Sequence, residues 1–197
     1  MDRDKATLQP ILTFAHTLLE RVVGPGDVAI DCTMGNGHDT LFLANLVGQG
    51  GHVFAFDIQE SAVAATGKRL AQHGITAQQV TRIQASHETL LEHIPADAYP
   101  SCKAAIFNLG YLPGGDKRIC TTPQTTIVAI DALLSILAPG GLVVLVVYPG
   151  HAEGAVEAAA VLQHCEAIPA ATVNVVLYRI LNNPNQPPFV IALEKKG

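Results

Sequence analysis

The stretch Val28-Ala29-Ile30-Asp31-Cys32-Thr33-Met34-Gly35-Asn36-Gly37-His38-Asp39-Thr40 decides the fold of this chain. An apolar run ends in an acid, and a G-x-G turn and a predicted helix start follow it. A second apolar run, Val53–Phe56, ends in Asp57, about 20 residues after Gly37. This layout is typical of a nucleotide-type cofactor site at the first turns of a doubly wound sheet. Glycines in such a turn let the backbone approach the ligand closely.

The residues around the turn favour S-adenosylmethionine over a dinucleotide. A dinucleotide site usually has a third glycine where this chain has Thr40. The acid Asp39 at the helix start would also repel an anionic pyrophosphate. We expect Asp31 to meet the ammonium group of the methionine part and Asp57 to accept hydrogen bonds from the ribose. The alternative is a tight strand–helix turn without a ligand.

Composition predicts one domain over residues 1–197, with an N-terminal helix in residues 1–24 packed on it. The chain has 197 residues, of which 49% are hydrophobic and 15% charged. Its net charge of −5 excludes a global basic field, so any RNA contact must use a local patch. The four cysteines lack C-x-x-C spacing and predict neither a metal site nor a disulfide framework. No signal peptide or membrane span is predicted, which favours a cytoplasmic protein without a membrane partner. A homodimer stays open.

Alternating strands and helices predict a mostly parallel α/β sheet with helices on both faces. The predicted helices are 6–23, 40–46, 60–73, 88–94, 123–137 and 153–164. Because the last two predicted strands are joined by a short Asn/Pro-rich segment without a helix, they should form an antiparallel hairpin at one side of the sheet. Seven strands in this arrangement match the Rossmann-like class I methyltransferase fold. The predicted strands are Val28–Cys32, His52–Phe56, Val80–Gln84, Ala104–Phe107, Leu142–Tyr148, Thr172–Leu181 and Phe189–Leu193.

Asn108-Leu109-Gly110-Tyr111-Leu112-Pro113-Gly114-Gly115 follows the fourth predicted strand, at the edge where open α/β sheets bind ligands. The Asn108 carbonyl can accept a hydrogen bond from an attacking amine. The Tyr111 ring could stack on a base. The alternative is an ordinary loop in which the asparagine caps the turn.

Three further groups of residues follow predicted strands or this loop. Ser86 and His87 follow the third strand and should border the adenine pocket, although Ser86 is also a helix-cap type. Tyr148 and His151 follow the fifth strand, where an imidazole could take a proton or contact phosphate; a solvent-exposed histidine beside a helix start is the alternative. The cations Lys117-Arg118 are the best local candidates for phosphate contact, against a solvated pair of surface charges.

Together, these motifs closely resemble the small bacterial methyltransferases known as the rRNA methylase family. The motifs are D-x-T-x-G-N-G-x-D-T at 31–40, Phe56-Asp57-Ile58-Gln59, Ser86-His87-Glu88, the block from 107 to 117 and Tyr148-Pro149-Gly150-His151. The resemblance covers about residues 14–193. The family includes the enzyme that methylates the 5-aminomethyl group of 5-aminomethyl-2-thiouridine at the tRNA wobble position. Cys32 departs from it, since the family often has alanine there.

The resemblance implies an S-adenosylmethionine-dependent methyltransferase that transfers a methyl group directly to a tRNA amine. Asn108 would orient the amine, and His151 or water would receive its proton. Catalysis is assigned to Asn108, Tyr111 and His151, and substrate contact to Tyr111, Lys117, Arg118 and Tyr148. Cofactor contact is assigned to Asp31, Thr33, Gly35, Asn36, Gly37, Asp39, Thr40, Asp57, Ile58, Gln59, Ser86, His87 and Asn108.

Four other functions remain open. Methylation of rRNA or of a small-molecule amine would use the same cofactor. An NAD-dependent oxidoreductase is disfavoured by the missing third glycine. A catalytically inert cofactor-binding module is disfavoured by the Asn108–Gly115 loop.

Overall fold

The computed structural model describes residues 7–112, 114 and 119–197. Seven strands form one sheet: β1 (Val28–Asp31), β2 (His52–Asp57), β3 (Val80–Gln84), β4 (Cys102–Leu109), β5 (Leu142–Val147), β6 (Val173–Tyr178) and β7 (Phe189–Lys195). Its α-helices are α1 (Ile11–Glu20), α2 (His38–Val47), α3 (Glu60–Gln72), α4 (Leu90–His93), α5 (Pro123–Ile136) and α6 (Ala152–Ala167). Two 3-10 segments, His87–Thr89 and Ala96–Ser101, flank α4.

The strand order confirms the predicted sheet. It runs β3-β2-β1-β4-β5-β7-β6, and the pairs from β3 to β5 are parallel. Strand β7 pairs antiparallel with both β5 and β6, which is the predicted C-terminal hairpin at one side of the sheet. The chain leaves β1 toward β2 on one side, and β4 lies on the other, so the carboxyl end of β1 is a topological switch point.

The sheet is central because its middle strands are apolar on both faces, as parallel strands covered by helices should be. All six residues of β5 are buried. Val143, Leu145 and Val147 of β5 face one apolar cluster, which includes residues of α5 and α6. Leu142, Val144 and Val146 face the other cluster, which includes residues of α1 and α2.

The N-terminal helix is shorter than predicted. The apolar spacing predicted a helix over 6–23, but α1 begins after Pro10, whose carbonyl accepts the hydrogen bond of the Phe14 N–H at 2.8 Å. A proline lacks the N–H that a helix interior needs and disfavours helical conformation in the residue before it, so the helix starts there. The predicted helix 88–94 is also divided, into the first 3-10 segment and α4.

Candidate active site

The glycine turn after β1 is held by contacts from two neighbouring elements. Gly35 and Gly37 both have positive φ, +48° and +77°. The Gly35 N–H donates to the Asp57 carboxylate at 3.0 Å, and its carbonyl accepts from the Thr66 hydroxyl at 3.0 Å. A Cβ on Gly37 would lie 2.9 Å from the Cα of Thr66. Gly37 is therefore required because helix α3 packs closely against it, and not because a ligand does.

Asp31 lies within the turn and not at its surface, and its contact with the methionine ammonium group stays a prediction. It is fully buried, and one oxygen accepts from the Thr33 N–H at 3.1 Å while the other accepts from the Thr40 hydroxyl at 2.6 Å. Burial, reinforced by the charge of Asp39, raises the pKa of Asp31 to about 7. Asp31 and Thr40 thus brace the turn from behind.

Replacing Asp31 with asparagine should stabilise the protein more at pH 8 than at pH 5. The folded-state pKa is raised above its ordinary value of 3.8. The stabilising effect of the protonated form is therefore full below about pH 4 and lost as the pH rises through about 7. An asparagine can keep both hydrogen bonds without titrating, so its advantage should grow by about 2–3 kcal/mol between the two pH values. Urea unfolding at each pH measures this, with the exposed Asp131 changed to asparagine as a control; an equal effect at both pH values would contradict it.

The end of β2 presents the residues expected to face a ribose and adenine. The Asp57 carboxylate accepts from the Gln59 N–H at 2.9 Å as well as from the glycine turn. Ile58, next to it, is an apolar side chain left 53% exposed. All three residues line one cavity. An exposed isoleucine beside a fixed carboxylate offers an apolar surface for a base and an acceptor for hydroxyl groups.

His87 lines the same cavity and has one buried ring nitrogen without a hydrogen-bond partner among the described residues. Its Nδ1 donates to the Cys32 carbonyl at 3.0 Å, so in the neutral ring Nε2 carries the lone pair. Burial lowers the pKa of His87, which favours the neutral ring. Nε2 is buried and has no hydrogen-bond partner among the described residues. Ser86 also lines the cavity, and its side chain makes no capping bond to the 3-10 segment that it precedes.

The cavity has a volume of about 360 Å³ and lies at the carboxyl ends of β1, β2, β3 and β4. It brings together many of the residues predicted for the site. Those that line it are Thr33, Gly35, Asp57, Ile58, Gln59, Ser86, His87, Asn108 and Tyr111. Other predicted residues support the site from outside the lining or stand beside it: Asp31, Asn36, Gly37, Asp39, Thr40, Tyr148 and His151.

Asn108 is fixed at both its backbone and its side chain. Its N–H donates to the Thr33 hydroxyl at 2.8 Å, which ties the ends of β4 and β1 together. Its side-chain Nδ2 donates to the Asp39 carboxylate. The other oxygen of Asp39 lies 2.6 Å from Nε2 of His16, a residue of α1 that the sequence did not indicate. Asp39 therefore contacts Asn108 and does not line the cavity, and its predicted cofactor contact stays a prediction.

The loop after Asn108 is anchored by a buried acid that the sequence also did not indicate. Gly110 and Thr121 exchange hydrogen bonds, the Gly110 N–H to the Thr121 hydroxyl at 2.9 Å and the Thr121 N–H to the Gly110 carbonyl at 3.0 Å. The Thr121 hydroxyl donates to Glu157 at 2.6 Å, and Thr126 donates to its second oxygen at 2.8 Å. Burial raises the pKa of Glu157. Helix α6 thus holds Thr121 directly, and Thr121 in turn holds Gly110 at the other end of the loop.

His151 lies at the start of α6 beside Tyr111, and its role as a proton acceptor stays a prediction. It caps α6, because its Nδ1 accepts from the Gly154 N–H at 3.0 Å. The neutral ring then carries its proton on Nε2, which is buried and has no hydrogen-bond partner among the described residues. Its ring centroid lies 5.5 Å from that of Tyr111. Tyr148 is half-buried, and burial together with the charge of Asp39 raises its pKa.

The predicted phosphate contacts Lys117 and Arg118 lie outside the described residues. Within the part that the structure does describe, no group of three or more His, Cys, Asp or Glu side chains is arranged to hold a metal ion. No helix among the same residues is long and apolar enough to cross a membrane.

The cavity suits S-adenosylmethionine. Asp57 and the exposed Ile58 would take the ribose and one face of the adenine, and the unpartnered Nε2 of buried His87 offers an acceptor for an N–H group. Gly35 and Leu112 both line the cavity, and a Cβ on Gly35 would lie only 3.3 Å from the Leu112 side chain, so any residue larger than glycine would crowd the cavity there.

Solved structures support this fit. A Clostridium thermocellum protein described as a putative rRNA-methylase matches with a TM-score of 0.92 at 38% identity, over 96% of this chain and all of the other. A Streptococcus mutans protein described as a putative methyltransferase, solved in complex with SAH, matches with a TM-score of 0.86 at 36% identity, over 96% of this chain and 99% of the other. Together, the fold, the cavity and these neighbours define a class I S-adenosylmethionine-dependent methyltransferase.

The sequence narrows the class to a family. Residues 53–194 match the family described as "Putative rRNA methylase". The chain is also 37% identical, over 190 residues, to the Arabidopsis thaliana protein named tRNA (mnm(5)s(2)U34)-methyltransferase, chloroplastic; the match spans 93% of this chain and 69% of that protein. The chain belongs to this rRNA methylase family, as its motifs predicted.

Proposed function

We propose that this methyltransferase N-methylates the 5-aminomethyl group of a wobble 2-thiouridine in tRNA. The observation that carries the proposal is the side chain of Asn108. Its Nδ2 is engaged by Asp39, so its Oδ1 is the atom left to face the cavity that it lines. An amide oxygen at the methyl-transfer point suits an amine, which carries N–H donors. The name of the Arabidopsis relative supports the same acceptor.

The residues of the chain mainly have to position the acceptor. When bound, S-adenosylmethionine would supply a methyl group on a sulfonium, whose sulfur is a good leaving group because it departs as a neutral thioether. Asn108 Oδ1 accepts a hydrogen bond from an N–H of the neutral amine. This contact directs the lone pair of the amine nitrogen toward the methyl group. We assign the amine proton to water or to His151, whose Nδ1 accepts from the Gly154 N–H at 3.0 Å and lies 3.4 Å from the Glu153 carboxylate.

The loop between β4 and α5 supplies the surface for the nucleotide. Tyr111 is 38% exposed and lines the cavity beyond Asn108. Its ring can stack on a base, and stacking contributes about 1–3 kcal/mol in nucleic-acid complexes. We assign the phosphate contacts to Lys117 and Arg118, because a chain with net charge −5 must rely on a few local cations. With tRNA as the substrate, we assign the activity to the cytoplasm.

The acceptor is tested by methyl transfer from labelled S-adenosylmethionine to matched anticodon stem-loops. One stem-loop carries 5-aminomethyl-2-thiouridine at the wobble position, and its partner carries 2-thiouridine without the aminomethyl group. We expect label in the first and background in the second. An rRNA fragment and a small primary amine are the competing acceptors. Equal labelling of both stem-loops, or preferential labelling of rRNA or the small amine, would refute the proposed substrate.

A further inference from the structure

We propose that Asp39 and His16 are positioning residues that fix the side-chain amide of Asn108 for methyl transfer. The inference rests on the proposed function in one respect, namely that the acceptor is an amine. Neither residue lines the cofactor cavity. Both would therefore act through Asn108.

The first contact sets which way the amide faces. The Asp39 carboxylate only accepts hydrogen bonds, so the Asn108 atom that faces it must be the donor Nδ2. The amide oxygen is then directed away from Asp39. Without this contact, the two ends of the amide would be free to exchange, and Nδ2 would compete with Oδ1 for the acceptor site. An amide turned the wrong way would present a donor to an amine.

The second contact holds the carboxylate itself. His16 Nε2 lies 2.6 Å from the Asp39 oxygen that Asn108 does not use. The imidazole stacks on the ring of Phe42 in α2, with centroids 3.9 Å apart and planes 9° from parallel. Buried Ala15 and Leu19 anchor α1 on either side of His16. The side chain of Asp39 is only 13% exposed, so both of its oxygens are held in a site largely shielded from water.

This arrangement also has an electrostatic consequence. As the methyl group is transferred, positive charge develops on the amine nitrogen. A carboxylate behind the amide polarises Asn108 so that Oδ1 becomes a stronger acceptor, and a fixed dipole of this kind stabilises developing charge without reorganisation. The effect is present in the transition state more than in the bound cofactor, so it should appear in kcat.

The test is a double-mutant cycle on the stem-loop that carries the aminomethyl group. Asp39→Ala should lower kcat by about 10- to 100-fold, because the amide loses its fixed orientation. His16→Phe keeps the stacking on Phe42 and removes the donor, so a smaller loss of about 3- to 10-fold is expected. Neither change should shift the dissociation constant of S-adenosylmethionine by more than about twofold. In an Asn108→Ala background, Asp39→Ala should have no further effect on kcat.

Two controls separate this proposal from a general structural role and from the proposed substrate. A matched pair lies elsewhere on the surface, where His164 Nε2 is 2.8 Å from Asp131 Oδ1. Asp131→Ala and His164→Phe should therefore leave kcat unchanged. The side-chain amide resonances of Asn108, assigned by their loss in Asn108→Ala, should move in Asp39→Ala whatever the substrate. Additive effects of Asp39→Ala and Asn108→Ala, or unmoved resonances, would overturn the positioning role. A wild-type protein that does not methylate the stem-loop would refute the substrate instead.

Discussion

Replacing Asn108 with alanine should lower kcat by about 100-fold and leave the affinity for S-adenosylmethionine nearly intact. Removing one positioned group at a reaction centre typically costs a factor of this size. Asn108 lines the cavity at the end of β4, but its side chain is held by Asp39, and the residues suited to the ribose and adenine lie on the β2 and β3 loops. The loss should therefore appear in turnover and not in cofactor binding.

Steady-state kinetics with the aminomethyl stem-loop, together with calorimetric titration of the cofactor, measures both quantities. Asn174→Ala is a suitable control, since Asn174 lies on the edge strand β6 and its side chain bonds only to Glu194 among the described contacts. An Asn108→Ala protein that binds the cofactor tenfold more weakly and turns over normally would show that Asn108 belongs to the cofactor site instead.

Replacing Asp57 with alanine should have the opposite effect: it should weaken cofactor binding and change kcat much less. Its carboxylate accepts from the Gly35 N–H at 3.0 Å and from the Gln59 N–H at 2.9 Å, and it lines the cavity. The change removes the predicted ribose acceptor and loosens two turns at once. We expect the affinity for S-adenosylmethionine to fall by about 1–3 kcal/mol, or about 5- to 150-fold.

Calorimetry measures this loss directly, and kcat at saturating cofactor should change much less. Asp131→Ala provides the control, because Asp131 is exposed on α5 and pairs only with His164 among the described contacts. An unchanged cofactor affinity in Asp57→Ala would remove Asp57 from the site.

The strands of the sheet and its C-terminal hairpin were predictable because their signals are local in the sequence. The sequence shows the continuous apolar run of β5 and the lack of a helix between β6 and β7. In the structure, β5 is fully buried and β6 and β7 form the hairpin. The start of α1 was less predictable. The apolar spacing continues through Pro10, but a helical backbone cannot continue through it, because proline lacks the N–H that a helix interior needs. At this boundary the apolar side chains favour a longer helix, but the effect of the proline on the backbone is larger.

The cavity-facing residues on the β2 and β3 loops were predictable for a similar reason, since each follows its strand directly. The partners of Asp39 and Thr121 were not predictable in this way. His16 lies 23 residues from Asp39 along the chain, and Glu157 lies 36 residues from Thr121. No local pattern marks either contact, because each forms only when separate helices pack on the sheet. The complete burial of Asp31 was not predictable from its motif position either, because it arises only when the turn packs against its neighbours.

The most direct test of the account is the modified nucleosides of tRNA in cells that lack the gene for this chain. Mass spectrometry should show the wobble 5-aminomethyl-2-thiouridine accumulating while its N-methylated product disappears. The wild-type gene should restore the product, and the Asn108→Ala variant should not. An unchanged level of the N-methylated nucleoside in the deleted cells, with no other enzyme of this activity present, would contradict the central claim.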